Sequence, residues 1–183
     1  LVIVAKINGN EVFIKSDAIM IPVLDVGAYN LTITAIPDAN HNAVNKTVTI
    51  TVNRAKTQMA ANAITTIYNI NKDLVVTLKD SNGKALSGVK VTVNLNGAKT
   101  LITDKNGQIK VSTKGLAPKA YSAKITFSGD ANYDNSTKEV KVTVKKANPK
   151  IIAKKKTFKK AKKVKKYAIT LKDNIGKPIK KAN

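Results

Sequence analysis

Residues 121–147 decide the fold, and they read YSAKITFSGDANYDNSTKEVKVTVKKA. Residues 29–55, which lie 92 positions upstream, read YNLTITAIPDANHNAVNKTVTITVNRA. The two stretches align without a gap and have eleven residues in common. In the numbers of the first copy, these are Tyr29, Ile33, Thr34, Asp38, Ala39, Asn40, Lys46, Val48, Thr51, Val52 and Ala55. A recurrence at one domain length predicts a chain built from tandem copies of one structural unit.

A third copy begins near the end of the sequence. Residues 76–84, VTLKDSNGK, return as residues 169–177, ITLKDNIGK, one position off the same period. The period therefore predicts one complete repeat at residues 54–146. Residues 1–53 are predicted to be the C-terminal part of a repeat, and residues 147–183 the N-terminal part of a third.

Alternating apolar and polar residues predict β-strands throughout the complete repeat. Val89, Val91 and Val93 alternate with polar neighbours, which is the period of a strand with one buried face. The seven predicted strands lie near residues 57–63, 73–79, 88–95, 99–103, 108–113, 120–128 and 137–145. The Asn-Gly pairs of residues 80–83 and 104–107 fit tight hairpins. With no convincing helical periodicity, the expected fold is an all-β antiparallel sandwich.

One tyrosine recurs at the entry to a long strand. Tyr121 follows a Leu-Ala-Pro segment, and Tyr29 holds the same place after Val26-Gly27. In immunoglobulin-like sandwiches a tyrosine at this corner bonds through its hydroxyl to the backbone a few residues upstream. We therefore predict a structural role for both tyrosines.

The motif of residues 129–133, GDANY, precedes a closing Val-Thr-Val strand and accompanies the LKDSNGK segment of residues 78–84. Together these motifs resemble the tandem prokaryotic Ig-like repeats, of the bacterial Ig-like group 3 type, found in bacterial and archaeal surface proteins. The Lys- and Asn-rich composition is most similar to adhesin-like proteins of methanogenic archaea. The resemblance covers the whole chain and implies immunoglobulin-like antiparallel β-sandwich repeats in tandem. It also implies an extracellular, cell-surface location and a role in attachment or stalk building.

Positive charge rises along the chain. The total is +22, and the three predicted segments carry −1, +10 and +13 in chain order. One interpretation is that the downstream end contacts an anionic surface such as a cell-wall polymer, lipid headgroups or an acidic glycan. The other is that solvated lysines keep the repeats soluble. The chain has no cysteine, so no disulfide supports it, and its first residues are too short for a membrane span or signal peptide.

Acidic and amide side chains recur in one inter-strand loop. Asp38 and Asn40 in the first copy correspond to Asp130 and Asn132 in the second. A short Asp-x-Asn pair typically forms an Asx turn, which is the structural role predicted here. The alternative is a calcium site, although calcium takes about six to eight oxygen ligands. His41, the only histidine, has no cysteine or paired carboxylate beside it, so we predict neither catalysis nor metal binding there.

Residues 154–166, the Lys-rich segment, superficially resemble a nucleic-acid patch. Arg54 is the only arginine in the chain, and stacking aromatics are found only at Phe158 and Tyr167. Specific nucleic-acid recognition favours arginine for bidentate contacts, so the segment predicts non-specific attraction to polyanions.

Three acceptor sequences for N-glycosylation begin at Asn30, Asn45 and Asn135. Asn135 is the favoured site because it shares the loop of Asp130. An aromatic platform for glycan binding would have to come from Tyr68, Tyr133 or Tyr167, of which we single out Tyr133.

The sequence contains no constellation of nucleophile and base, so we expect a protein that is not an enzyme and carries no cofactor. The predicted function is an extracellular adhesin or stalk segment that acts by spacing and by multivalent weak contacts. A cell-wall or glycan-binding module is the alternative. Expected partners are a cell-wall polymer, a surface glycan or a host or partner-cell surface protein, besides neighbouring Ig-like repeats. Two chains could also complete each other's partial repeats by strand addition.

Overall fold

A computed structural model describes residues 2–16, 18–160 and 164–180 of the chain. All the regular elements within these residues are β-strands. The chain divides into two compact units, namely Leu1–Thr57 with Ser128–Asn135, and Gln58–Phe127 with Ser136–Asn183. The predicted all-β class is confirmed, while the repeat boundaries at residues 54 and 147 stay predictions from the period.

The first unit is built on one antiparallel sheet. Its strands are β1 (Val2–Ile7), β2 (Asn10–Val12), β3 (Ile14–Lys15), β4 (Ala18–Ile19), β5 (Gly27–Ile36) and β6 (Val44–Val52). The sheet has the order β2-β1-β5-β6, and β3 and β4 form a separate hairpin. Ala5, Ile7 and Leu31 form a small buried cluster. Residues of the β3–β4 hairpin, Ile14 and Ile19, pack against this cluster.

The second unit contains a two-layer sandwich. Its strands are β7 (Thr57–Ala61), β8 (Ile64–Ile67), β9 (Leu74–Asp80), β10 (Lys90–Asn94), β11 (Ala98–Ile102), β12 (Gln108–Val111), β13 (Ala120–Phe127) and β14 (Ser136–Lys145). One sheet has the order β11-β10-β13-β14-β8 and the other β12-β9-β7. The most deeply buried side chains come from both sheets, among them Leu74 and Leu78 of β9 and Ile125 of β13. The two sheets therefore enclose one core, as the alternation predicts.

The strand β8 is absent from the sequence-based prediction, which placed a single strand over residues 57–63. In the structure, strand pairing changes after Ala61: β7 belongs to the sheet of β9, whereas β8 pairs with β14. This pairing is parallel, with Ile64 opposite Val142 and Ile67 opposite Lys145. The complete repeat therefore departs from a purely antiparallel sandwich where its second strand meets its last strand.

The sequence repeat is also a repeat of strand register. Ile33 of β5 lies opposite Lys46, and Ile125 of β13 lies opposite Lys138, in the same alignment. Ala5 of β1 pairs with Ile33 as Val93 of β10 pairs with Ile125. The sheet β2-β1-β5-β6 of the first unit is therefore the counterpart of β11-β10-β13-β14 in the complete repeat.

The third copy reproduces the N-terminal strands of the complete repeat. Its strands β15 (Lys150–Ala153) and β16 (Ile169–Lys172) pair antiparallel. In the turn after β16, Asp173 Oδ1 accepts hydrogen bonds from the backbone N–H groups of Ile175 and Lys177, at 3.0 and 2.8 Å. Asp80, in the turn after β9, accepts from the residues two and four positions on, both at 2.9 Å. The β15–β16 sheet is therefore the counterpart of β7 and β9.

Candidate functional site

The two corner tyrosines make the same hydrogen bond. Tyr29 Oη donates to the carbonyl oxygen of Asp25 at 2.8 Å, and Tyr121 Oη donates to that of Ala117 at 2.9 Å. Both bonds reach back four residues and tie the start of a long strand to the loop before it. Their chemistry is structural, because each phenol is used to hold backbone.

The Asp-x-Asn loop of the second copy is closed by one carboxylate. Asp130 Oδ1 accepts from the backbone N–H groups of Asn132 and Tyr133, each at 2.9 Å. The same loop bonds to the segment at residue 55, because Ala55 N donates to Asn132 O and Asp134 N donates to Ala55 O, both at 2.9 Å. These are the contacts of an Asx turn and of a loop that is hydrogen-bonded to a neighbouring segment, and in them Asp130 Oδ1 serves a structural role.

The first copy of this loop keeps the carboxylate and changes its partner. Asp38 Oδ1 accepts from the backbone N–H of Asn40 at 2.9 Å and lies 2.8 Å from His41 Nδ1. These bonds, the Asn40 backbone bond first and the histidine second, lower the pKa of Asp38. Within the described residues, no group of three His, Asp or Glu side chains is placed to hold a metal ion. The calcium alternative gains no support from this geometry.

A second carboxylate with a lowered pKa lies in a hairpin turn. The pKa of the Asp104 carboxyl is lowered, mainly because the backbone N–H of Gln108 donates to it. Asp104 Oδ1 accepts from the N–H groups of Asn106 and Gln108 at 2.8 and 2.9 Å. The predicted turn at residues 104–107 therefore uses its aspartate to close the backbone. It offers no free pair of carboxylates for acid–base chemistry.

A cleft of about 480 Å³ lies in the second unit, where the complete repeat meets the third copy. It is lined by Tyr68, Asn69, Pro118, Lys146, Ala147, Pro149, Asp173, Asn174 and Ile179. Tyr68 lies just beyond β8, and the residue is 39% exposed. Apolar faces of Tyr and Pro beside amide groups are the surroundings that a polyhydroxylated ligand would need.

Asn174 is the polar centre of this cleft. Its Nδ2 donates to the backbone oxygen of Tyr68 at 2.8 Å. Its Oδ1 is buried and has no hydrogen-bond donor. A buried acceptor left without a donor is costly. Sequence reasoning missed this residue; the available signal was that its counterpart in the complete repeat, Ser81, is not an amide.

The other candidate aromatics lie elsewhere. Tyr133 is half-buried, and its backbone belongs to the Asx loop and to a bridge with Ala55. Tyr167 is more exposed, and its hydroxyl donates to the carbonyl of Lys154 at 2.7 Å. Of these three tyrosines, Tyr68 alone lines the cleft around Asn174.

The Lys-rich segment surrounds a single aromatic ring. The ammonium groups of Lys156 and Lys165 lie 5.2 and 5.7 Å from the centroid of the Phe158 ring. Stacking of a nucleic-acid base would require the same ring that these two ammonium groups contact. Residues 161–163 of the segment lie outside the described residues.

The three acceptor asparagines are all exposed. Asn30 lies in β5, Asn45 in β6, and Asn135 immediately before β14. Each is open to modification from solvent, and glycosylation at these positions stays a prediction. None of the described residues forms a helix that is long and apolar enough to cross a membrane.

Comparisons with known proteins give fold-level similarity. No protein-family model and no curated protein matches the sequence. Among solved structures, the fibronectin(III)-like modules of Clostridium thermocellum CbhA align over 79% of this chain and 77% of theirs, with 16% identity and a TM-score of 0.39. Domains 4–9 of the surface layer protein SbsC align over 97% of this chain and 28% of theirs, with 18% identity and a TM-score of 0.38.

Proposed function

We propose that this chain is a non-enzymatic stalk segment of an extracellular adhesin, built to carry tension between a cell surface and whatever the protein attaches to. One observation carries the proposal: β8, the second strand of the complete repeat, and β14, its last strand, pair in parallel. The resemblance to adhesin-like proteins of archaea supports the same location and role. The turn aspartates and corner tyrosines support a scaffold, since their polar groups bond to backbone.

Parallel pairing determines how the repeat responds to a pull on its ends. Once β7 has separated from the sheet of β9, tension draws β8 toward the N-terminus and β14 toward the C-terminus, so these two strands are pulled past each other along their axes. Their four residue pairs, from Ile64–Val142 to Ile67–Lys145, are then loaded together. Peeling would break such bonds one at a time, whereas shear requires several to break at once. A spacer under tension benefits from this arrangement.

The expected result in single-molecule force spectroscopy is a high unfolding force for the complete repeat when the full chain is pulled from its ends. Unfolding of residues 54–146 lengthens the chain by about 30 nm, at roughly 3.5 Å per residue, which identifies the event. Replacing Thr66 by Pro removes a backbone N–H that faces β14, since alternate residues of a parallel strand donate to one neighbour and Tyr68 N, two residues on, donates to Lys145 O; this variant should lower that force markedly.

A matched proline tests whether the effect depends on the load path. Lys99 lies in the edge strand β11, opposite Val93, and outside the β8–β14 pair. Lys99→Pro should cost equilibrium stability without a comparable loss of unfolding force. An equal loss of unfolding force in the two variants, or a wild-type repeat that unfolds at no higher force than its proline variants, would refute the proposed role in carrying tension.

A glycan-binding module is the second candidate function, and the cleft that Tyr68, Pro118 and Asn174 line favours it. The strongly basic surroundings, +13 over residues 147–183, disfavour a cationic ligand. A neutral or acidic sugar has hydroxyl donors and an apolar face for Tyr68. The partner would then be a cell-wall polymer or surface glycan.

Binding of the full chain to an array of neutral and acidic oligosaccharides tests this candidate. Tyr68→Ala should reduce binding at least tenfold by removing the stacking ring, while leaving the Asn174 bond to the residue-68 backbone in place. Tyr167→Ala is the control, because that ring is exposed but lies outside the cleft. Equal loss in both variants, or no binding by the wild type, would exclude the cleft as a glycan site.

A further inference from the structure

Three Asn-Gly pairs lie in turns of the complete repeat, at Asn82-Gly83, Asn96-Gly97 and Asn106-Gly107. In such a pair the Gly backbone nitrogen can attack Cγ of the Asn side chain, because the Gly has no side chain to obstruct the approach. A bond forms between Cγ and the Gly nitrogen, the Cγ–Nδ2 bond breaks, and the proton of the Gly nitrogen leaves with Nδ2 as ammonia. Water then opens the cyclic imide at either carbonyl carbon, so the product is Asp or isoaspartate. Water is the only co-reactant, and the folded chain controls the rate through the freedom of the Gly nitrogen.

The Gly nitrogens of two pairs are engaged in hydrogen bonds. Gly107 N donates to Asp104 O at 2.9 Å, and Gly107 is buried. Gly83 N donates to Asp80 O at 3.1 Å, although Gly83 is exposed. Attack on the Asn side chain would require each nitrogen to give up this bond and to leave the turn that the bond closes.

The aspartates of the same two turns oppose the reaction further. Asp80 Oδ1 accepts from Asn82 N at 2.9 Å. Asp104 Oδ1 accepts from Asn106 N at 2.8 Å. These bonds fix the backbone of each Asn. A carboxylate this close also disfavours the loss of a proton from the next backbone nitrogen, because that loss develops a second negative charge.

The Asn96-Gly97 pair, in the hairpin between β10 and β11, lacks this protection. Both residues are exposed, and Gly97 N has no hydrogen-bond acceptor among the residues that the structure describes. The backbone bond of this hairpin loop uses other atoms, since Leu95 N donates to Gly97 O at 3.2 Å. Asn94 stands two residues before Asn96, at the position where the other two turns have an aspartate. The Gly97 nitrogen is therefore free to attack, and no adjacent carboxylate of this kind opposes it.

We propose that Asn96 is a site of spontaneous deamidation in the folded protein, and that the fold protects Asn82 and Asn106 from the same reaction. All of these residues lie within the complete repeat. The product places a carboxylate at the tip of a hairpin in a repeat that carries +10. Isoaspartate also lengthens the main chain within a loop whose length sets the register of Asn94 opposite Ala98, so we expect β11 to pair less firmly. The proposal is independent of the stalk function, which rests on β8 and β14.

Incubation of the full chain in mildly alkaline buffer, sampled over time, gives the three rates. Digestion at low pH, where the imide forms slowly, and tandem mass spectrometry locate the mass gain that marks replacement of NH2 by OH. Asn96 should react at least about tenfold faster than Asn82, whose Gly nitrogen must first break a hydrogen bond. Asn106 should be the slowest, because Gly107 is buried as well as bonded. Asn96→Gln should abolish the signal in the hairpin peptide, and a signal that persisted there would come from Asn94 and contradict the proposal.

The same measurement in denaturant separates the effect of the fold from that of local sequence. Each of the three asparagines is followed by Gly, so their rates should become similar once the turns are lost. Asn82 or Asn106 reacting as fast as Asn96 in the folded chain would overturn the proposal. An order of rates that stayed the same in denaturant would do so as well, since the turns would then have no part in it.

Discussion

Replacing Ile125 by Ala should lower the free energy of unfolding of the complete repeat by about 3 kcal/mol. Ile125 is fully inaccessible to solvent in β13, among side chains contributed by both sheets. The truncation removes buried methyl and methylene groups and leaves a cavity that a rigid sandwich fills poorly. Hydrogen exchange measured by mass spectrometry in increasing denaturant would report this loss in peptides that cover β13.

The repeat provides a matched control for this substitution. Ile33 is the same residue at the same register in β5, but it is only half-buried. Ile33→Ala should therefore cost about 1 kcal/mol, because less apolar area returns to water and the site is partly open. The two costs are read from separate peptides, since a chain with two units need not unfold in one step. Equal costs at Ile33 and Ile125 would contradict the difference in burial between the copies.

The elements that sequence alone predicted are those whose signals are local. In β13, Tyr121, Ala123, Ile125 and Phe127 alternate with polar residues, and the strand lies within one residue of its predicted limits. The turns at residues 80–83 and 104–107 were predictable because each is closed by an Asp side chain that bonds to backbone two and four residues on, and because each contains a Gly. Such signals need no knowledge of distant partners.

The strand β8 could not be predicted because its partner is remote. Its four residues, Ile64–Ile67, have no long alternation of their own, and they pair with residues 142–145. A strand this short is stabilised by the neighbour it meets, and nothing local indicates that neighbour. The parallel pairing that supports the stalk function was therefore outside the reach of a periodicity argument.

The cleft around Asn174 was unpredictable for the same reason. The hydrogen bond from Asn174 Nδ2 reaches the backbone of Tyr68, a residue 106 positions away. Alignment of the copies places Asn174 in a turn, where Asn is expected for its conformational tolerance. Only the folded chain brings the Asn174 amide to Tyr68.

Replacing Gly107 by Ala should be the most damaging small substitution in the turns of the complete repeat. Gly107 has a φ of +69°, and a Cβ there would lie 2.4 Å from the carbonyl oxygen of Leu78. The backbone N–H of Leu78 also donates to Gly107 O at 2.8 Å, so neither strand can withdraw without losing that bond. We expect a loss of about 3 kcal/mol, combining strain at positive φ with the displaced backbone.

Gly83 is the control that separates the contact from the conformation. Its φ is +83°, but a Cβ built there meets nothing within 4 Å. Gly83→Ala therefore introduces only the strain of a left-handed backbone conformation. It should lower the free energy of unfolding by about 1 kcal/mol in the same denaturation experiment. The difference between the two variants is the energy of the clash with Leu78 O. If Gly107→Ala were no worse than Gly83→Ala, the hairpin would have room to move away from β9, and the tight approach of the two strands would not be needed for stability.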